Sequence, residues 1–146
     1  GREGPLTVDW GMDVRPSPEV HFEATPEWLL VRARGTYDVA WLKTFVRQIA
    51  ATADGTVPRP RALLIDAREL TGTPLSDMER FDMGVLTAQA MVGVAIAFVA
   101  SPTFVDPRRF GELVARNRGS NLWVFTELDE AKTWLHERET TLRSPT

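Results

Sequence analysis

In the stretch LLIDARELTGTPLSDMERF (Leu63–Phe81) an apolar run closes on an acid, Asp66, and the hydroxyls of Thr71, Thr73 and Ser76 follow before a helix begins. A carboxylate at a strand end, then a loop with hydroxyls at a helix start, is the layout of a phosphoryl-transfer or phospho-acceptor loop. The residue types argue against that chemistry here. Ser76-x-x-Glu79 spells a capping box, in which the hydroxyl accepts a bond from a backbone N–H. A hydroxyl engaged in this way is a poor nucleophile, and Asp77 and Glu79 beside it repel an incoming phosphate. An aspartyl acceptor at Asp66 would need an acidic pair at another strand end and a lysine after the last strand. The strand ends at Ala100–Pro102 and Phe125–Glu127 supply neither, so Asp66 is expected to bond loop amides or Arg68.

The other candidates are equally bare of catalytic partners. His21 and His136, the only histidines, are not bracketed at metal-ligand spacing, and no serine elbow accompanies them. The glycines at 72, 84, 93, 111 and 119 match neither a P-loop nor a dinucleotide fingerprint, so no cofactor is expected. With no nucleophile–base pair and no metal set, the chain reads as a non-enzyme, with an enzyme as the remote alternative. Arg108 and Arg109 are more informative. Asp106-Pro107 reads as an N-cap followed by an N1 proline, which puts both arginines in the first turn of a helix, where the macrodipole disfavours cations. Two outcomes follow: they pair with Asp77, Glu79 or Asp82 of the neighbouring helix, or they meet an acidic partner or anionic ligand. In the second case Asp106, Arg108 and Arg109, with Thr71, Thr73 and Ser76 of the loop, form a binding edge.

The elements that would position these residues follow from periodicity. EVHFEA (Glu19–Ala24) and WLLVRARG (Trp28–Gly35) alternate with period two and predict an antiparallel hairpin, with Leu29, Val31 and Ala33 inward and Arg32 and Arg34 outward. Asp38 is an N-cap for an amphipathic helix over 39–53 carrying Trp41, Leu42, Phe45, Val46 and Ile49. RALLIDA, apolar on both faces from Ala62 to Ile65, and Val92–Ala100 read as buried parallel strands. Between them a helix from Ser76 carries Met78, Phe81 and Val85 on one stripe. A third helix runs from Asp106 to Arg118 with Phe110, Leu113 and Val114 inward, and Gly119 stops it. Asn121–Phe125 is the last strand. The final helix is capped at Thr126 and buries Ala131, Trp134 and Leu135. Trp28 and Trp123 are expected to be partly exposed. The order β-β-α-β-α-β-α-β-α implies an α/β fold: a mixed five-stranded sheet, mostly parallel with an antiparallel edge hairpin, and helices packed around it.

LLIDARELTG, DPRRFGELVARNRG and VFTELDEAKTWL in this order resemble the STAS domain, and within it the bacterial SpoIIAA-like (STAS/SEC14-like) branch; the resemblance spans about residues 19–136. It implies the fold of anti-sigma-factor antagonists and of the cytoplasmic tails of sulphate transporters. It also implies a regulatory protein-interaction role or, from its lipid-transfer side, a site for a small apolar or lipid-like ligand between sheet and helix. Met78, Met83, Met91 and Phe81 would then be the adaptable wall. Phospho-switches of this kind carry an Asp-Ser-Ser/Thr-Gly type motif after the strand matching Ala62–Ala67. This sequence has Asp66-Ala67-Arg68-Glu69 there instead, and no acceptor is carried over.

Composition bounds the rest. With 146 residues, 43% of them hydrophobic and 25% charged, the chain suffices for one domain with a real core. The expected layout is a flexible arm over 1–18, with a short added strand near Leu6–Trp10, a STAS-like domain over 19–138 and a tail over 139–146. A net charge of −3 argues for no nucleic-acid partner, and no apolar run is long enough to span a bilayer. The absence of cysteine and of a signal-peptide core in GREGPLTVDW fits the cytoplasm. Arginine far outnumbers lysine, present only as Lys43 and Lys132, which agrees with a GC-rich bacterial source. A protein partner is expected, and a homodimer is compatible with these features.

Overall fold

A computed structural model describes residues 17–143. β1 (Glu19–Ala24) and β2 (Leu29–Thr36) form the hairpin, α1 covers Val39–Asp54, and β3 runs over Ala62–Thr71. Then come α2 (Asp77–Ala90), β4 (Ala95–Ala100), α3 (Phe110–Asn117), β5 (Asn121–Phe125) and α4 (Leu128–Arg143). The sheet order is β1-β2-β3-β4-β5, with β1 antiparallel to β2 and every other pair parallel. The α/β architecture expected from the sequence is the one observed. The expected arm over 1–18, with its strand near Leu6–Trp10, lies outside the described residues apart from Ser17 and Pro18, and α4 runs on to Arg143, into the 139–146 stretch.

Right-handed crossovers between sequential parallel strands place their helices on one face of the sheet. Accordingly Leu29, Val31, Leu63, Ile65, Ile96 and Leu122 form one core with Leu42, Phe45 and Ile49 of α1, Met91 after α2 and Ala115 of α3. Among the described residues, those alternating with them, Leu64, Ala97 and Val99, pack with Trp28 against Ala131 and Leu135 of α4 alone. The mostly alanine lining of β4 on that side lets α4 lie close.

Several boundaries and faces differ from expectation, each for a physical reason. β3 does not stop at Ala67. Beyond Asp66 it loses its β4 partner after the Ala67–Ala100 pair, but β2 continues beside it through a bulge, from Arg34–Glu69 to Thr36–Thr71. β4 begins at Ala95 rather than Val92, because Gly93 takes a positive φ of 74° and Val92 turns out to solvent. Trp28 is buried at 8% exposure under α4, whereas Trp123 is exposed on β5, as its position suggested. Leu113 is exposed, and Glu112 takes its place inside. On α2 the buried residues are Gly84, Thr87 and Ala88, and Met78 is exposed. Gly84 faces inward because a Cβ there would lie 2.6 Å from the Gly111 carbonyl oxygen: α2 and α3 cross at this point with almost no spacing. The apolar stripe through Met78, Phe81 and Val85 therefore does not mark the core face.

Candidate functional site

The loops that follow β3 and β4 meet at the C-terminal ends of the parallel strands, the end at which open α/β sheets place their ligands. The sequence candidates distribute unevenly around it. Asp66 belongs elsewhere. It projects to the α4 side of the sheet, where Arg68 Nε and Nη2 clasp its two oxygens at 2.9 and 2.8 Å, with Arg32 nearby. The Arg68 hydrogen bond holds its carboxyl below the ordinary range, against the opposing pull of burial. Thr71 ends β3, its hydroxyl 3.5 Å from the Gly35 carbonyl oxygen. Thr73 contributes its carbonyl oxygen, which accepts from the Tyr37 hydroxyl at 3.1 Å.

Ser76 is in the capping box that its spacing announced. Its Oγ accepts from the Glu79 N–H at 3.1 Å while the Glu79 carboxylate accepts from the Ser76 N–H at 2.8 Å. Asp106 is also a cap, but of a turn ahead of α3. Its two carboxylate oxygens accept from the N–H groups of Arg108 (3.2 Å) and Phe110 (3.0 Å). The Phe110 N–H, first among several causes, holds the Asp106 carboxyl below its usual range. The helix proper begins only at Phe110, so the arginines precede its first turn instead of occupying it. That removes most of the dipole conflict read from the sequence.

The two arginines have different duties. Arg108 is exposed and donates to Asp77 at the start of α2, the pairing the sequence offered as one outcome. Arg109 sits in the left-handed region at φ 53°, which costs a non-glycine residue about 1 kcal/mol or more. Its Nη1 donates to the Val124 carbonyl oxygen at 2.8 Å and to Glu112 Oε1 at 3.0 Å. Glu112 has a side chain only 2% exposed; it also accepts from the Val124 N–H at 2.9 Å and lies 3.5 Å from Arg116. Sequence reasoning passed over Glu112, although Arg109 and Arg116 flank it at i−3 and i+4, the spacing of helical ion pairs.

Behind this rim lies a cavity of about 130 Å³ between the sheet and α1, α2 and α3. Phe45, Ile49, Ile65, Met83, Met91 and Phe98 are among its walls, and Arg80, Asp106, Arg109 and Glu112 stand at its polar side. Of the four side chains expected to make an adaptable wall, Met83 and Met91 do so and Met78 and Phe81 do not. Arg80 was not singled out from the sequence. The signal was its place on the stripe Arg80, Gly84, Thr87, Met91, one turn apart along α2. Among the described residues no group of His, Cys, Asp or Glu is placed to hold a metal, and no helix is long and apolar enough to cross a membrane.

Two solved structures are similar to the chain. One is an anti-sigma factor antagonist from Mycobacterium paratuberculosis, 19% identical with a TM-score of 0.52, covering 82% of this chain and 95% of that one. The other is a protein of the DUF3478 family with a SpoIIAA-like fold from Shewanella loihica, 15% identical with a TM-score of 0.46, covering 85% and 97%. No family model and no curated protein matches the chain. The first likeness, together with the sheet order, shows that the chain has a STAS-like fold.

Proposed function

We propose that the chain is a non-enzymatic, STAS-like regulatory module of the bacterial cytoplasm. It binds a protein partner at the end of the sheet where the β3–α2 and β4–α3 loops meet, and it does so without a phosphate switch. One observation carries this reading: the Ser76 hydroxyl, the nearest stand-in for an acceptor, is closed within its capping box, while Arg108 and Asp77 beside it stay exposed. The solved neighbour named as an antagonist of an anti-sigma factor acts, by that name, on another protein, which supports a protein partner here. Intact-mass analysis of protein from its native cell, joined to a pulldown, tests the proposal. The expected result is no stoichiometric phosphate on Thr71, Thr73 or Ser76, and a partner whose recovery falls with salt and falls further with Arg108→Glu. Phosphate on any of the three would replace this reading with a phospho-switch.

A second reading, a module for a small apolar or lipid-like ligand, is favoured by the cavity alone. Native mass spectrometry of the purified protein, gently desolvated, would show the retained molecule as a fixed mass increment.

A further inference from the structure

The polar groups around the cavity are almost all engaged. Arg109 is held by Glu112 and the Val124 carbonyl, Asp106 by two backbone N–H groups, and the Thr87 hydroxyl by the Met83 carbonyl oxygen at 2.8 Å. Arg80 is the more enclosed of the two arginines that line the cavity. Its side chain is 14% exposed, its Nε donates to the Leu75 carbonyl oxygen at 3.1 Å, and that same nitrogen is 4.0 Å from Asp106 Oδ2. Nη1 and Nη2 have no hydrogen-bond partner among the described residues. A guanidinium presents its two outer nitrogens as a fork that fits a carboxylate. Leu75 and Asp106, the neighbours that fix the head of Arg80, both line the cavity, so the fork stands at the boundary between the apolar volume and the loops.

We infer, resting on the ligand-binding reading, that the cavity takes a small monocarboxylic acid whose carboxylate docks on Arg80 and whose body fills the space between Phe45, Ile65, Met83 and Met91. Size limits the body. A cavity of roughly 150 Å³ holds one benzene, so about 130 Å³ takes one aromatic ring or a short alkyl chain, not a full-length lipid tail. Charge limits the head. Asp106 already offsets Arg80, so a single added carboxylate leaves one excess negative charge at the head, whereas a phosphomonoester dianion leaves two.

The probes are phenylacetate, ethylbenzene as the uncharged counterpart, and phenyl phosphate, titrated into protein labelled with ¹³C at the methionine methyls. Phenylacetate should shift Met83 and Met91, leave the exposed Met78 in place, and bind at least tenfold more tightly than ethylbenzene or phenyl phosphate. Arg80→Met should erase the preference for the acid while ethylbenzene still shifts both methyls, and Arg80→Lys should restore part of it. Ethylbenzene bound as tightly as phenylacetate by the wild-type protein overturns the acid inference and leaves the apolar-ligand reading standing. Met83 and Met91 unmoved by any probe overturn both. The wild-type comparison decides the matter even where Arg80→Met fails to fold.

Discussion

Glu112 keeps a carboxylate inside the protein because three donors converge on it, and Arg109 is the one supplied by the strained loop. Glu112 is buried while Arg109 is partly exposed, so Arg109→Glu, which sets a second carboxylate against the buried one, should destabilise the protein by about 2 kcal/mol in urea unfolding. Arg108→Glu, which loses an exposed pair with Asp77 and a longer 3.8 Å contact with Asp106, should cost less, about 1 kcal/mol. Equal losses would mean that the division between surface and structural arginine is wrong. Asp106 is testable by acid. Its folded carboxyl is depressed, so the stability it contributes is complete above the ordinary aspartate value of about 4 and is lost as pH falls through the lower folded value. Asp66 contributes in the same direction. Unfolding free energy should therefore fall from about pH 4 downward, and Asp106→Asn should flatten part of that slope. An unchanged slope would show that the Asp106 caps are not formed in solution.

At the level of elements, the crossing of α2 and α3 depends on Gly84, where an added Cβ would strike the Gly111 carbonyl at 2.6 Å and Val114 at 2.9 Å. Gly84→Ala should cost about 1–3 kcal/mol by overpacking, despite alanine's better helix propensity, and thermal melts would register it. A gain in stability would mean that the helices lie further apart. The same crossing explains what the sequence disclosed and what it withheld. Caps and strands were legible because their causes are local: Asp38, Ser76 with Glu79, and the alternation of Leu29, Val31 and Ala33. The inner face of α2 was not, because Met78 and Phe81 are more hydrophobic than Gly84 and Thr87, and only a neighbouring helix makes the small residues the inward ones. The start of α3 was misplaced because Asp106-Pro107 looks like a cap and first residue, whereas a turn closing on the left-handed Arg109 intervenes. Of the six residues the sequence offered as a binding edge, Asp106 and Arg109 line the cavity, and Arg108, Thr71, Thr73 and Ser76 do not. The cavity and Arg80's place in it were not legible in the sequence, because a void arises from side chains far apart in the chain that fail to meet.

Across the described residues, the two faces of the one sheet are covered by very unequal means: α1, α2 and α3 on one side, α4 on the other. Every strand also pairs with its predecessor in the chain. During synthesis the sheet and its three-helix side can therefore assemble in order as the chain emerges, each strand finding its partner already in place. The back face cannot close until the last helix has left the ribosome. A nascent chain ending at Thr126 would carry a complete sheet with Leu64, Ala97, Val99 and Trp28 bare to water. Such a truncated chain should bind a hydrophobic dye strongly and associate with itself, and a separate peptide spanning α4 should quench both effects. A dye-silent truncation would mean that the back face is held closed by other means. Until α4 arrives, the sheet is an open-faced intermediate, so the hazard on the way to folding lies in its uncovered back face.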